Sequence, residues 1–311
     1  MTDVQMSRPL IAATLLAMSS PFAFAQSDSG SFEQTLDVDG PIVLDVSTGA
    51  GEIDVRAGPA GEARIIGSIQ VRGGWFNGGG FFNRRSTRDP EEIIDDFEAN
   101  PPVELSGGRL RVGYGNDGDF YGGGIRISYE ITVPADTEVD ARTGSGSMSI
   151  AGIEAPVEAA TGSGAVRFDD IDGDVRARSG SGGIRAEGVA GDFEARTGSG
   201  SVELVQTGPG DVIVSTGSGS SRFEGIDGSL RARAGSGTIT VEGRPSGPWD
   251  VETGSGSIRL RVPDDAAFDV DVRTGSGGVS SDHPITIQGR VERNELHGQV
   301  RGGGPVVRAR A

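Results

Sequence analysis

The sequence predicts an all-β fold, a single-chain β-solenoid of about 18-residue coils with Gly-Ser-Gly corners. One short helix is expected in its N-terminal part. Two observations carry this reading. Gly-Ser-Gly recurs at 144, 162, 180, 198, 217, 235, 254 and 275, in steps of 18, 18, 18, 19, 18, 19 and 21. Apolar residues then alternate with polar ones on both sides of each corner, with the period of a strand. A helical repeat would show a period near 3.6, and a four-stranded propeller blade needs a longer unit.

Each unit holds two short alternating segments. After the corner come pairs such as Val166 with Phe168, Val202 with Leu204, Ile239 with Val241, and Ile258 with Leu260. Before the next corner come Val175 with Ala177, Phe193 with Ala195, Leu230 with Ala232, and Val270 with Val272. Ile153, Ile171, Val189 and Ile226 lie between the two segments. Two strands per coil follow, each pairing in parallel with its copy in the next coil. The glycines are expected to turn the chain at positive φ, where a Cβ would clash. The corner serines (145, 163, 181, 199, 218, 236, 255 and 276) are expected to stack as a hydroxyl column at roughly 4.8 Å.

The N-terminal third carries the same grammar with interruptions. Thr48-Gly49-Ala50-Gly51, then Ile53 and Val55, copies the unit with alanine in place of serine. Strands are expected over Ile42–Val46, Glu52–Arg56, Arg64–Arg72, Arg109–Tyr114 and Ile125–Val133. Asp89-Pro90-Glu91-Glu92 is a helix start, with a capping residue and proline at the first position. Ile93, Ile94 and Phe97 form its apolar stripe, and Asn100-Pro101-Pro102 ends it, placing the helix at about 90–99. Gly73 to Phe82 holds five glycines with Trp75, Phe76, Phe81 and Phe82. These four aromatics are candidate binding residues at a loop or hairpin tip.

Arg8 and an apolar run from Leu10 to Met18 precede Ser19-Ser20-Pro21 and then Ala23-Phe24-Ala25. This is the pattern of a signal peptide over 1–25. The chain is thus expected to divide into a leader (1–25), an N-terminal β segment (26–135) and a solenoid repeat region (136–311), with one continuous domain over the last two as the alternative. An exported protein, periplasmic or at the cell surface, is expected. No other apolar run reaches the length of a membrane span.

Composition excludes several classes. The chain has no cysteine, so no disulfide framework and no zinc-thiolate site. Its net charge is -17, against a nucleic-acid or anionic-membrane partner. All 28 basic residues are arginine. Glycine accounts for 53 of 311 residues, a level that signals disorder only where it lacks a period.

Outward positions give the remaining candidates. The first strand of the unit points Arg167, Arg185, Arg222 and Arg259 outward at one register, with Glu203 among them. Two residues on lie Asp169, Glu187, Glu224 and Glu242. Arg178, Arg196, Arg233 and Arg273 repeat on the second strand. Stacked like charges need acidic neighbours, which the adjacent columns supply. The two faces read either as a solvated, salt-laced surface or as a ligand-binding one.

Motifs for chemistry are few. Gly113-Tyr114-Gly115-Asn116-Asp117-Gly118 matches a dinucleotide pattern by letter but opens no helix. Asp169, Asp170, Asp172 and Asp174 cluster, with Gly173 misplaced for an EF-hand. Both histidines, His283 and His297, fall at the far end. No catalytic residue, metal ligand or cofactor is expected.

The leader, the interrupted β segment with its helix, and Val133-Pro134-Ala135-Asp136 leading into Thr-Gly-Ser-Gly coils resemble the bacterial putative-adhesin β-strand-repeat family, also called toast-rack. Val262-Pro263-Asp264-Asp265 before Asp271-Val272-Arg273-Thr274-Gly275 repeats the theme. Leu296-His297-Gly298 and Gly302-Gly303-Gly304 are similar to the family's closing segment, although the chain ends at Ala311 soon after. The resemblance implies a non-catalytic adhesion module whose partner is an envelope or surface protein or polysaccharide. A periplasmic envelope-stress partner and a polysaccharide-acting β-helix enzyme are the alternatives.

Overall fold

A computed structural model describes residues 28–71, 89–113, 125–276, 278–287 and 294–311. The expected leader and the loop of Trp75, Phe76, Phe81 and Phe82 lie outside the described residues, as does most of the dinucleotide-like stretch.

The solenoid has two strand-bearing walls. The first contains β2 (Val43–Thr48), β8 (Glu138–Thr143), β10 (Val157–Thr161), β12 (Val175–Ser179), β14 (Phe193–Thr197) and β16 (Val212–Ser218). The second contains β3 (Ile53–Gly58), β9 (Met148–Ala151), β11 (Val166–Ile171), β13 (Ile184–Val189) and β15 (Val202–Gln206). The long strands β17 (Ser221–Ser236) and β18 (Ile239–Ser255) start in the second wall and end in the first. Strand β19 (Ile258–Arg261) returns to the second wall.

The sequence period is the pairing register. In the first wall Val157, Val175, Phe193, Val212, Leu230 and Trp249 stack strand on strand, all parallel. In the second wall Val166, Ile184, Val202, Ser221 and Ile239 do the same. Every one of these is buried, as are Ile153, Ile171, Val189 and Ile226 between the walls. A coil has only one thin apolar layer, so each must cover its neighbour.

The corner glycines are required for a different reason from the expected one. Gly146, Gly164, Gly182 and Gly200 do not have positive φ. Instead the coils approach so closely at the corner that a side chain cannot enter. A Cβ on Gly164 would stand 1.8 Å from the carbonyl oxygen of Gly146, and one on Gly200 2.0 Å from that of Gly182. In this column positive φ begins at Gly219 (147°) and continues at Gly237 (126°) and Gly256 (159°).

The hydroxyl ladder also belongs to another column. It is built by the buried residue before each Gly-Ser-Gly. Thr161 Oγ1 donates to the Gly146 carbonyl (3.1 Å) and accepts the Gly164 amide (3.0 Å). Ser179 and Thr197 repeat this. In the serine column, Ser236 Oγ reaches Ser218 Oγ at 3.4 Å.

Both ends of the stack depart from chain order. At the N-terminal end, β2 lies between β6 (Arg109–Val112) and β8, and β3 between β7 (Ile125–Pro134) and β9. Antiparallel strands β4 (Glu62–Val71) and β1 (Asp28–Asp37) extend that edge of the second wall. Strand β5 (Val103–Ser106) pairs antiparallel with β6. Helix α1 (Pro90–Ala99) buries Ile93, Ile94 and Phe97. It lies on β1 so tightly that a Cβ on Gly30 would meet Ile94 at 2.2 Å. Asp89 makes no side-chain cap bond, and its carbonyl accepts the Ile93 amide instead.

At the other end, β22 (Val306–Arg310) inserts in parallel between β18 and β20 (Phe268–Arg273). The unit at Gly275 is therefore displaced one strand beyond its expected neighbour. Val307 and Ala309 drive this, because both are buried in line with Trp249 and Val251. Strand β21 (Glu295–Val300) closes the first wall, antiparallel to β20.

Candidate functional site

The outward columns are continuous. In the second wall the row runs Ser149, Arg167, Arg185, Glu203, Arg222, Thr240 and Arg259. Strand alternation turns these residues out while Val166, Phe168 and their copies turn in. Only Arg167 and Arg185 are direct neighbours. Glu203 separates Arg185 from Arg222, and Thr240 separates Arg222 from Arg259.

Most of these arginines are engaged in ion pairs. Arg167 Nε lies 2.7 Å from Asp169, and Arg167 also approaches Glu187 at 3.7 Å. Arg185 bridges Glu187 and Glu203, at 2.5 Å each. Arg222 is 3.8 Å from Glu224. The hydrogen bond that Arg167 donates to Asp169, then the charge of that carboxylate, raise the Arg167 guanidinium above its ordinary value. Arg259 differs: among the described residues no carboxylate pairs with it.

The first wall shows the same arrangement. Arg178 pairs with Glu158 at 3.0 Å and Arg196 with Glu194 at 2.8 Å. Asp45, Asp140 and Glu158 sit side by side on consecutive strands. Burial pushes the Asp140 carboxyl above its ordinary value; Arg142 opposes this, and Asp45 and Glu158 add to it.

The acidic cluster near residue 170 has a structural use. Asp174 Oδ1 accepts the Asp192 amide, Asp192 Oδ1 the Asp211 amide, and Asp211 Oδ1 the Ser229 amide. This is a carboxylate ladder along one edge, each rung capping the next coil. Among the described residues no group of three or more His, Asp or Glu could hold a metal ion.

One concave feature escaped sequence reading. An open groove of about 500 Å3 is lined by Ile226, Asp227, Glu242, Arg244, Arg261 and Pro263, among others. Arg244 clamps Asp265 with two hydrogen bonds of 2.8 and 2.9 Å, which hold that carboxyl below its ordinary value. Its signal in the sequence is the 21-residue step from 254 to 275, which contains the lining residues Arg261, Val262 and Pro263.

The Toastrack DUF4097 family model matches residues 94–307. The chain belongs to this family. It is a domain of unknown function, and the membership names no ligand. Three solved structures are similar to this Toastrack chain. A "putative cell adhesion protein" from Clostridium sporogenes is 10% identical, with TM-score 0.26, covering 90% of this chain and 93% of that one. A "putative adhesin" from Bacteroides fragilis is 14% identical, with TM-score 0.31, covering 74% and 96%. A "putative lipid binding protein" from Parabacteroides distasonis is 11% identical, with TM-score 0.26, covering 75% and 95%. No curated protein matches the sequence. Among the described residues, no helix is long and apolar enough to cross a membrane.

Proposed function

We propose that this Toastrack chain is an exported, non-catalytic adhesion module of the bacterial envelope or surface. Its partner is an envelope or surface protein or polysaccharide. The observation that carries this reading is the regular outward array on the two walls. Charges repeat at one strand spacing and pair along and across the rows. Such a surface offers many equivalent contacts over an area and does not converge on one reacting atom. The leader expected at 1–25 supports export, and the aromatics Trp75, Phe76, Phe81 and Phe82 are proposed as additional contact residues.

The test compares a deletion strain with its parent for attachment to cells and to polysaccharide-coated surfaces, with purified protein as competitor. Reduced attachment, restored by complementation, is expected. Unchanged attachment with an induced envelope-stress response would move the protein to a periplasmic role. Cleavage of the polysaccharide by purified protein would overturn the non-catalytic reading. Mass analysis of the exported protein checks removal of residues 1–25.

A further inference from the structure

Among the described residues, no strand lies on the outer side of β19 in the second wall. In the first wall, β22 occupies the position after β18, and β20 the position after that. Strand β22 reaches the corner at Ala311, where Gly275 donates its amide to the Ala311 carbonyl (2.8 Å). Among the described residues, β19 pairs with β18 alone.

Burial records the missing neighbour. In the preceding coils the residues equivalent to Ile258 and Leu260 are fully covered: Val202 and Leu204 are 0% and 1% exposed, Ile239 and Val241 1% and 0%. Ile258 and Leu260 themselves are only half-buried. The hydrogen-bond ladder starts with the Ile239 amide donating to the Ser257 carbonyl. Parallel pairing then directs the amides of Ile258 and Leu260 to the outer edge.

We propose that this edge docks an extended segment of a partner protein, added as the next parallel strand of the second wall. Its residues would alternate between apolar and acidic. The apolar ones would cover Ile258 and Leu260, as the repeat does in every other coil. The acidic ones would face Arg259, which lacks an ion-pair partner, and Arg261, whose closest carboxylate is Glu242 at 3.5 Å. Beyond Arg261 the strand would run beside the groove at Val262 and Pro263.

A second copy of this chain fits poorly. Two β19 edges side by side would oppose arginine with arginine. The far edge, β1, is guarded by α1, with the Ser31 amide already held by Glu98 Oε1 at 2.9 Å. The inference holds whether or not the protein acts in attachment.

The test uses the full chain and a synthetic peptide copying residues 199–207. That segment places Val202 and Leu204 inward and Glu203 between Arg185 and Arg222. In the free chain, the amides of Ile258 and Leu260 should exchange hydrogen about tenfold or more faster than those of Ile239 and Val241. The peptide should bind and slow them. Arg259→Glu should weaken binding roughly fivefold, and a peptide with arginine in place of Glu203 should recover it. Protection in the free chain would mean that the slot is already filled. Absence of peptide binding, or equal binding by Arg259→Glu, would overturn the proposal. So would a dimer cross-linked through β19.

Discussion

The hydroxyl of Thr197 joins two coils: it donates to the carbonyl of Gly182 at 2.9 Å in the coil below. The same oxygen accepts the amide of Gly200 at 3.1 Å in its own corner. The bond is shielded from water, so its loss leaves two backbone groups without a partner. Thr197→Val keeps the shape and removes the hydroxyl. It should cost about 1–3 kcal/mol in urea unfolding. Thr197→Ser should cost less, because Ser179 makes both bonds in the adjacent coil.

Gly200→Ala should be more damaging than its size suggests. The new methyl would meet the Gly182 carbonyl oxygen at 2.0 Å, and that oxygen is backbone. A loss of about 3 kcal/mol or more is expected. Gly49→Ala is the control, since a Cβ there meets nothing within 4 Å. Its melting temperature should stay close to that of the parent.

Asp170 has φ of 54° in a column where Gly152, Gly188 and Gly225 have 72°, 78° and 74°. An L-residue is strained in this left-handed region, although aspartate is among the less penalised. Asp170→Gly should therefore stabilise by about 0.5–1 kcal/mol, read by thermal unfolding. A lower melting temperature would show that the Asp170 side chain contributes more than its backbone costs.

Removing residues 179–196 should yield a shorter folded protein. Arg178 and Arg196 are register partners, so joining Arg178 to Thr197 recreates an existing corner. Cooperative unfolding should survive, with stability lowered by the loss of one coil interface. Removing only 179–187 deletes a corner and most of β13, breaks the register of the second wall, and should abolish cooperative unfolding.

Asp140 makes stability depend on pH. Its folded carboxyl titrates above the ordinary value, first through burial and then through Asp45 and Glu158, against the opposing charge of Arg142. The folded state therefore takes up this proton at a higher pH than the unfolded state. The site's contribution to stability falls as pH rises between the ordinary and raised values, and the cost is fully present at neutral pH. Asp140→Asn should be more stable than the parent at pH 7, read by urea unfolding. That gain should vanish in acid, where both proteins are neutral at this position.

The repeat was legible because the same interaction recurs in each coil. Val175, Phe193 and Val212 recur at the same place in each coil because the strands stack in register, so spacing alone gives the walls and their parallel pairing. The outward row of Arg167, Arg185, Arg222 and Arg259 follows from strand alternation. Which acid neutralises which arginine does not, since that depends on rotamers across neighbouring strands.

Sequence by itself determined the unit, its two strands, the helix of Ile93, Ile94 and Phe97, and the positions that must be glycine. Tertiary structure alone decided why they must be glycine, because the distance from Gly200 to the Gly182 carbonyl is set by coil stacking and not by local φ. It also decided that Thr197 and its equivalents, and not the following serines, carry the hydroxyl ladder. The strand order at the ends was hidden for a related reason. Whether β20 or β22 lies next to β18 depends on which apolar pair best covers Trp249 and Val251, a choice between segments far apart in the chain.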